Sequence, residues 1–147
     1  MKVEKLEEAG YFWALLGTSL SRDQPIDNMP KVCENLAPKE KGHNKFLEFM
    51  VVWLDITAPR FFWQQMATYR IGSSWLSEST MYTITKNKLE QINFEYPIDE
   101  VILQRLNDMI VEKDLKKVKN HLPEGFLQRR IWMFSYKTHK KAVSHDN

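Results

Sequence analysis

Hydroxyl side chains cluster around a single arginine between residues 69 and 83, where the sequence reads YRIGSSWLSESTMYT. Arg70 offers a charged fork of N–H donors, the serines offer hydroxyl groups, and backbone N–H groups of a turn can complete such a phosphate site. The same residue types also form capped polar turns. Composition alone therefore favours a turn over an anion site. The serines concerned are Ser73, Ser74, Ser77 and Ser79.

Other chemistries are poorly represented in the sequence. Cys33 is the only cysteine, so neither an intrachain disulfide nor a multi-cysteine metal site can form. His43 has Glu48 five residues later, but no second histidine stands at metal-ligand spacing. None of the five glycines belongs to a glycine-rich nucleotide loop. We expect no metal cofactor.

The charge balance argues against nucleic-acid partners, and the lengths of the apolar stretches argue against a membrane-spanning segment. The 147 residues carry 21 basic and 19 acidic side chains, whereas sequence-independent nucleic-acid binding needs a concentrated basic surface. The basic run YKTHKK at 136–141 is interpreted as a solvated tail. No apolar stretch approaches the roughly 20 residues that cross a bilayer, and the charged N-terminus does not suit a signal peptide. These features predict one cytoplasmic domain over residues 1–147.

The first half of the chain predicts helices around one buried strand. Apolar spacing predicts a helix within 3–20, with a start after Gly10 as the alternative, followed by a loop over 21–30 and a short helix over 30–36. The run FLEFMVVWLDI at 46–56 predicts a strand buried on both faces. Thr57 is the expected N-cap of a helix over 58–69, with Pro59 in its first turn.

The second half predicts one long helix and one strand. Pro97 and Asp99 open an amphipathic pattern that runs to about residue 119. Residues 80–97 are too briefly patterned to distinguish strand from loop. The segment 126–136 alternates as a strand does, and Ser135 is a candidate cap for a last helix.

Residues 42–82 resemble, in order, the flavin-dependent thymidylate synthases. That family has a Gly-His pair with a nearby Glu, a buried strand, an Ala-Pro helix start, a Gln, and the signature R-H-R-x-x-S-x-N-E-x-S-x-R-Y. Here Gly42, His43 and Glu48 match the first element, and APRFFWQQ with Gln65 matches the next. A second match, LPEGFLQRRIWMFSYKT at 122–138, resembles the family segment with an arginine-bearing strand and the start of the last helix.

The signature is only partly retained under this resemblance. Arg70 stands at its second Arg, and one extra residue is allowed between Arg70 and Ser74. Ser79 and Tyr82 then match its second Ser and its Tyr. Other residues replace the first Arg, the His, the Asn, the Glu and the last Arg; in that order they are Thr68, Tyr69, Leu76, Ser77 and Met81.

The resemblance implies an α+β fold, with a twisted antiparallel sheet and flanking helices, assembled as a homotetramer with sites between subunits. It implies FAD, dUMP, a reduced nicotinamide and methylenetetrahydrofolate as ligands. The chain is expected to end where the family continues into its final helix, whose arginine reads the pyrimidine.

Site roles follow from the same resemblance. Arg129 would bind the nucleotide phosphate, Ser79 would supply the catalytically placed hydroxyl, and Gln65 would bond near the sugar or base. His43 and Arg70 would contact the cofactor. The full set implied for nucleotide binding is Gln65, Arg70, Ser74, Ser77, Ser79, Tyr82 and Arg129.

Three functional hypotheses follow. Each charged hydrogen bond is worth roughly 1.5 to 3 kcal/mol, so the loss of several signature residues weakens flavin binding by orders of magnitude. Loss of the pyrimidine-reading arginine also removes orientation, which can supply about 7 to 11 kcal/mol of catalysis. The first hypothesis is a protein that captures a nucleotide without methylating it, as a virus could encode. The second is an active FAD-dependent synthase using NADPH, and the third is a protein-interaction domain.

Overall fold

The structure is a computed structural model that describes residues 1–144. Its strands form one antiparallel sheet in the spatial order β1-β2-β4-β3, with helices in the connections, which confirms the predicted α+β class. The strands are β1 Lys2–Ala9, β2 Val51–Pro59, β3 Ser73–Ser77 and β4 Leu127–Ser135. The helices are α1 Tyr11–Arg22, α2 Met29–Leu36, α3 Arg60–Met66, α4 Thr80–Thr83, α5 Glu100–Val111, α6 Leu115–His121 and α7 Tyr136–Ser144.

The chain divides into two compact units. Unit 1 comprises Met1–Glu4, Asp55–Thr68 and Leu76–Ile131, and unit 2 comprises Lys5–Leu54, Tyr69–Trp75 and the chain from Trp132 onward. The single domain predicted over residues 1–147 stays a prediction, and residues 145–147 lie outside the described residues. Within residues 1–144, none of the helices has the length and apolar character needed to span a bilayer.

The core of unit 1 packs around α5 and α6. The predicted helix from Asp99 to residue 119 is wrong in one respect, because it is broken into these two helices. Lys113 adopts a left-handed conformation (φ 56°) after α5. Asp114 then caps α6, its side chain accepting from the Lys117 N–H at 3.0 Å. Asp99 caps α5 as predicted. The buried apolar side chains are Ile84, Leu89, Phe94, Leu103, Leu106, Ile110, Val118, Leu122 and Phe126.

In unit 2, α1 and α2 pack together, with Leu15 against Met29 and Cys33. The helix predicted from residue 3 is wrong before Gly10, because Lys2–Ala9 forms the edge strand β1. Pairing with β2 overrides the helical spacing of its few apolar residues. Gly10 separates strand from helix with a φ of 96°, and a Cβ there would lie 1.9 Å from the Phe49 carbonyl oxygen. The short helix predicted over 30–36 is confirmed as α2.

The strand predicted over 46–56 begins later than expected, and the prediction that it is buried on both faces is wrong, because several of its residues are only half-buried. A 3₁₀ turn occupies Lys45–Glu48, and β2 then continues to Pro59. Thr57 is therefore a strand residue rather than an N-cap, and Pro59 takes the cap position of α3. The Arg60 N–H donates to the carbonyl oxygen of Glu124 at 2.9 Å, so helix geometry starts only after this contact. α3 also ends at Met66, three residues before the predicted end.

The serine-rich segment is not the polar turn that composition favoured. Ser73–Ser77 forms β3 beside β4, because pairing with a neighbouring strand satisfies its backbone groups. Residues 80–97, left open by the sequence, contain the short helix α4 and a 3₁₀ turn at Gln91–Asn93. The last predicted strand is confirmed as β4. Ser135 is confirmed as a cap, since its Oγ accepts from the Thr138 N–H at 3.3 Å.

Candidate functional site

The start of the serine-rich segment is fixed to the junction of β4 and α7 within unit 2. The carbonyl oxygen of Gly72 accepts from the Ser135 N–H at 2.8 Å, and the carbonyl of Ile71 accepts from the Thr138 hydroxyl. Ser135 and Thr138 are both buried, and their hydroxyl oxygens lie 3.1 Å apart. Gly72 has a φ of 72°. This contact determines where the residues on either side of Gly72 project.

Arg70 and Ser74 are brought together by this arrangement. They line a pocket of about 340 Å³ with Ser73 and Trp75. Arg70 and Ser74 are exposed, whereas Ser73 is half-buried and its hydroxyl donates to the Tyr69 carbonyl. Ser73 thus has a structural contact, and Ser74 supplies an exposed hydroxyl beside the guanidinium. A guanidinium, a hydroxyl and an indole ring in one recess suit a phosphate with a planar base nearby.

Arg129 lies in unit 1 and is held by a carboxylate of β2. Its Nε donates to both oxygens of Asp55, at 2.9 and 3.0 Å, and its Nη2 donates to the second oxygen as well. The bonded guanidinium lowers the pKa of Asp55, and the same pair raises the pKa of Arg129. Both residues line a polar pocket of about 310 Å³ with Lys2, Glu4 and Thr57.

The backbone of Arg129 is paired with the end of the serine-rich segment. The Glu78 N–H donates to the Arg129 carbonyl at 3.0 Å, and a Glu78 side-chain oxygen accepts from the Arg129 N–H at 3.1 Å. Ser79 follows Glu78 at the N-cap position of α4, where its side chain makes no capping hydrogen bond. The expected meeting of the Arg129 guanidinium with a serine hydroxyl at a phosphate stays a prediction.

The remaining predicted nucleotide contacts are exposed residues of unit 1. Ser77 ends β3 and Tyr82 lies in α4. Gln65 lies in α3 with an exposed side chain, and its carbonyl oxygen accepts from the Thr68 N–H at 3.1 Å. All three are accessible to a ligand, and their predicted roles stay predictions.

A cation missed by the sequence interpretation lies beside Met81. The ammonium group of Lys119, in α6, lies 3.4 Å from the Met81 sulfur. Met81 stands where the resemblance places the last arginine of the signature. The structure thus provides a positive charge close to this position from a different element. Lys119 is one of several lysines on an exposed helix face, so the sequence offered no signal that singled it out.

Two ion pairs of α7 lysines that the sequence did not predict lie in unit 2. Lys137 forms an ion pair with Glu48, and both line a pocket of about 520 Å³ with Gly72, Ser73 and Met133. Lys140 likewise pairs with Glu40. The interpretation of residues 136–141 as a solvated tail is therefore wrong, because they form part of α7. The i, i+3 spacing of the two lysines was the available signal.

His43 is exposed and lines another pocket of unit 2, of about 350 Å³, with Trp13, Gly17 and Phe49. Its backbone N–H donates to the Glu40 carbonyl at 3.4 Å. Its predicted cofactor contact stays a prediction. Among the described residues, no group of three or more His, Cys, Asp and Glu side chains is arranged to hold a metal ion.

Comparisons with known proteins agree on one family. The family model described as thymidylate synthase complementing protein matches residues 12–144. The fold is similar to a crystal structure of flavin dependent thymidylate synthase from Helicobacter pylori complexed with FAD and dUMP, with a TM-score of 0.76 and 14% identity. The fold is also similar to a second crystal structure, of thymidylate synthase X from Helicobacter pylori with FAD and dUMP, with a TM-score of 0.72 and 15% identity. Each comparison covers 94% of this chain and 80% of the other. No curated protein matches the sequence.

Proposed function

Because the chain belongs to the thymidylate synthase complementing protein family, we propose that it binds a nucleotide through its phosphate and no longer methylates it. One observation carries this proposal: Arg70 and Ser74 line a single recess with Trp75. A guanidinium fork binds phosphate oxygens through charge-assisted hydrogen bonds, and an aromatic wall suits a base. dUMP, which is bound in the two Helicobacter pylori structures, is the first ligand to test.

Arg129 is also proposed as a phosphate ligand, within unit 1, with Ser79 as its hydroxyl partner. Both side chains are exposed, and the Ser79 hydroxyl does not cap α4. We propose that subunits of a homotetramer complete the site, as the resemblance implies. We further propose a cytoplasmic protein that sequesters nucleotide, a role that suits a virus-encoded factor.

The residues at the site fit the phosphate part of FAD better than its flavin ring. Arg70 and Ser74 have the donor chemistry that phosphate oxygens require. At the signature's Asn position, however, stands Leu76, which is 79% exposed and has no polar side-chain atom. Its neighbour Ser77 stands where the family signature has a Glu. The flavin ring therefore lacks polar side-chain partners at these two positions.

A retained synthase activity is the second candidate, and one observation favours it. Ser73 lines both the Arg70 recess and the larger pocket that contains Glu48 and Lys137. The two recesses could accommodate different parts of one extended dinucleotide such as FAD. A third candidate, a protein-interaction domain, would use neither recess for a small molecule.

The absorption spectrum and thermal stability of the purified protein distinguish the three candidates. We expect a colourless protein whose unfolding midpoint rises with dUMP, because a ligand that binds only the folded state stabilises it. A flavin spectrum, together with thymidylate formation from dUMP, methylenetetrahydrofolate and NADPH, would favour the synthase. If the unfolding midpoint does not rise with pyrimidine or purine monophosphates, cyclic nucleotides or FAD, the protein-interaction domain is the candidate that remains.

A further inference from the structure

The first helix of unit 2 carries apolar residues on two opposite sides. Ala14 and Leu15 of α1 are buried. On the other side of the helix, Trp13 is 64% exposed and Leu20 is 75% exposed. Trp13, Gly17 and Leu20 follow the i, i+4, i+7 spacing of a single helix face, and we call these three residues the outer face of α1. A helix that is apolar on both sides is typical of one that is covered on both sides.

Gly17 lies in the middle of the outer face of α1, where nothing in the described chain requires a glycine. A Cβ added at Gly17 would have no atom within 4 Å. Glycine is also a weaker helix former than alanine, because its backbone loses more conformational freedom on folding. The distance between two packed helices depends on the side chains at their contact, so a glycine there lets a second helix approach closely. Gly17 is therefore explained by a helix of another molecule.

A groove and a group of aromatic side chains extend this face. Trp13 and Gly17 line a groove of about 350 Å³ with Phe49, which follows the 3₁₀ turn before β2. The ring of Phe12 packs edge-on against that of Trp13, with centroids 5.1 Å apart, and supports its exposed position. The exposed fractions of these three aromatic side chains and of Leu20 supply about 500 Å² per copy, at roughly 200 Å² for each side chain. Two such surfaces together reach the roughly 1,000 Å² of a specific interface.

The charge and the residue order of α1 favour a second copy of this chain as the partner. Arg22 is the only charged residue of α1, so two identical helices meet here without like-charge repulsion. Trp13 lies four residues before Gly17, and Leu20 lies three residues after it. A twofold axis beside Gly17 therefore places Trp13 of each copy against Leu20 of the other, because a twofold contact uses the same surface of both copies.

We infer that two copies of the chain associate through the outer face of α1, with their Gly17 residues at the crossing point of the two helices. Trp13 of each copy packs on Leu20 of the other. The homotetramer proposed above needs surfaces that join its subunits, and α1 supplies one of them. This contact concerns assembly and does not depend on nucleotide binding.

Gly17→Gln tests the close approach of the two helices. Glutamine is a better helix former than glycine, so this change strengthens α1 itself, whereas its longer side chain separates the two copies. Sedimentation velocity over a series of protein concentrations measures association, and thermal unfolding checks the fold. We expect the unmodified protein to associate at micromolar concentrations, and Gly17→Gln to raise the dissociation constant of this contact at least tenfold without lowering the unfolding midpoint of the dissociated chain.

An exchange of charges tests the pairing of Trp13 with Leu20. Trp13→Lys and Leu20→Glu should each weaken self-association at least tenfold, because each places charges against apolar side chains. In an equimolar mixture, the new lysine of one variant meets the new glutamate of the other, and the second Trp13–Leu20 contact is unchanged. The mixture should therefore associate at least tenfold more tightly than either variant alone. Val111→Lys is the matched control, because Val111 is an exposed apolar residue of α5, and it should associate as the unmodified protein does.

Three results would overturn the inference. The first is an unmodified protein that stays monomeric at high micromolar concentrations, which would leave the outer face to a different molecule. The second is association that persists unchanged in Gly17→Gln, Trp13→Lys and Leu20→Glu, since another surface then joins the copies. The third is a mixture of the two charged variants that does not associate although both are folded. Binding of dUMP by a protein that gives any of these results leaves the proposed function intact.

Discussion

The N–H of Ser135 donates to the carbonyl oxygen of Gly72 at 2.8 Å. This bond joins the end of β4 to the middle one of the three residues between Arg70 and Ser74. The Thr138 hydroxyl adds a bond to the carbonyl of the preceding residue, Ile71. Ser135 and Thr138 are buried, and their hydroxyl oxygens lie 3.1 Å apart at this junction. The backbone between Arg70 and Ser74 is therefore fixed by a junction that itself carries no charge.

Gly72→Ala is expected to destabilise the fold and weaken nucleotide binding. A methyl group at this position would lie 2.8 Å from the Thr138 hydroxyl oxygen and 2.9 Å from that of Ser135, and the φ of 72° disfavours any side chain. A strained left-handed residue costs about 1 to 3 kcal/mol. Denaturant unfolding measures the loss. Gly17→Ala is the control, because nothing lies within 4 Å of the added methyl group. This helical substitution should stabilise by about 0.5 to 1 kcal/mol, and equal effects of the two would contradict the prediction.

Arg70→Ala should weaken dUMP binding by about 10- to 100-fold, because a charged hydrogen bond contributes about 1.5 to 3 kcal/mol. Ser74→Ala removes a neutral donor and should weaken binding by about 2- to 10-fold. Titration calorimetry measures both. Arg105→Ala removes the same charge from an exposed residue of α5 and should have no effect. If Arg70→Ala and Arg105→Ala behave alike, the recess around Ser74 does not bind the phosphate.

Much of the fold follows from local patterns in the sequence. The alternation of β4, the strand character of β2 and the start of α5 at Asp99 all reflect interactions within a few residues, and each was predicted. The family assignment drawn from residues 42–82 and 122–138 is confirmed by the match over residues 12–144. The error at the N-terminal segment lies where distant pairing decides. The segment Lys2–Ala9 is a strand because β2 lies beside it.

The site was predicted less completely, for a related reason. Arg70 and Ser74 are close in sequence, so their shared recess could be anticipated. Asp55 lies 74 residues from Arg129, and the charge of a strand residue does not reveal which residue lies opposite on the next strand. The sheet order brings these two together. The sequence therefore identified Arg129 as a candidate phosphate ligand without identifying Asp55, its ion-pair partner.

Tyr136 should ionise above the ordinary range of a tyrosine. A hydrogen bond donated to Glu8, with burial, raises the pKa of Tyr136 to about 12 and lowers that of Glu8. Because the folded pKa exceeds the unfolded value of about 10, this contact stabilises the fold fully below pH 10 for as long as Glu8 stays ionised, and the contribution is lost as the pH rises towards 12. The lowered pKa of Glu8 means that the contribution is also lost in acid, when Glu8 becomes protonated. Ultraviolet titration of the five tyrosines should show one late component. Tyr136→Phe should remove that component alone, and a titration without it in the unmodified protein would refute the assignment.

Lys119 should replace part of the charge that the signature has lost at Met81. Its ammonium group lies 3.4 Å from the sulfur of Met81. Met81 follows Ser79 by two residues in the sequence. Exposed ion pairs are worth up to about 1 kcal/mol, so Lys119→Met should weaken dUMP binding by up to about fivefold. Lys116→Met, on the same helix, is the control that removes an equal charge. Adding Met81→Arg to the Lys119→Met variant should restore binding, because a guanidinium then supplies the charge directly. If this rescue fails while Arg129→Ala abolishes binding, the phosphate contacts Arg129 without reaching α4.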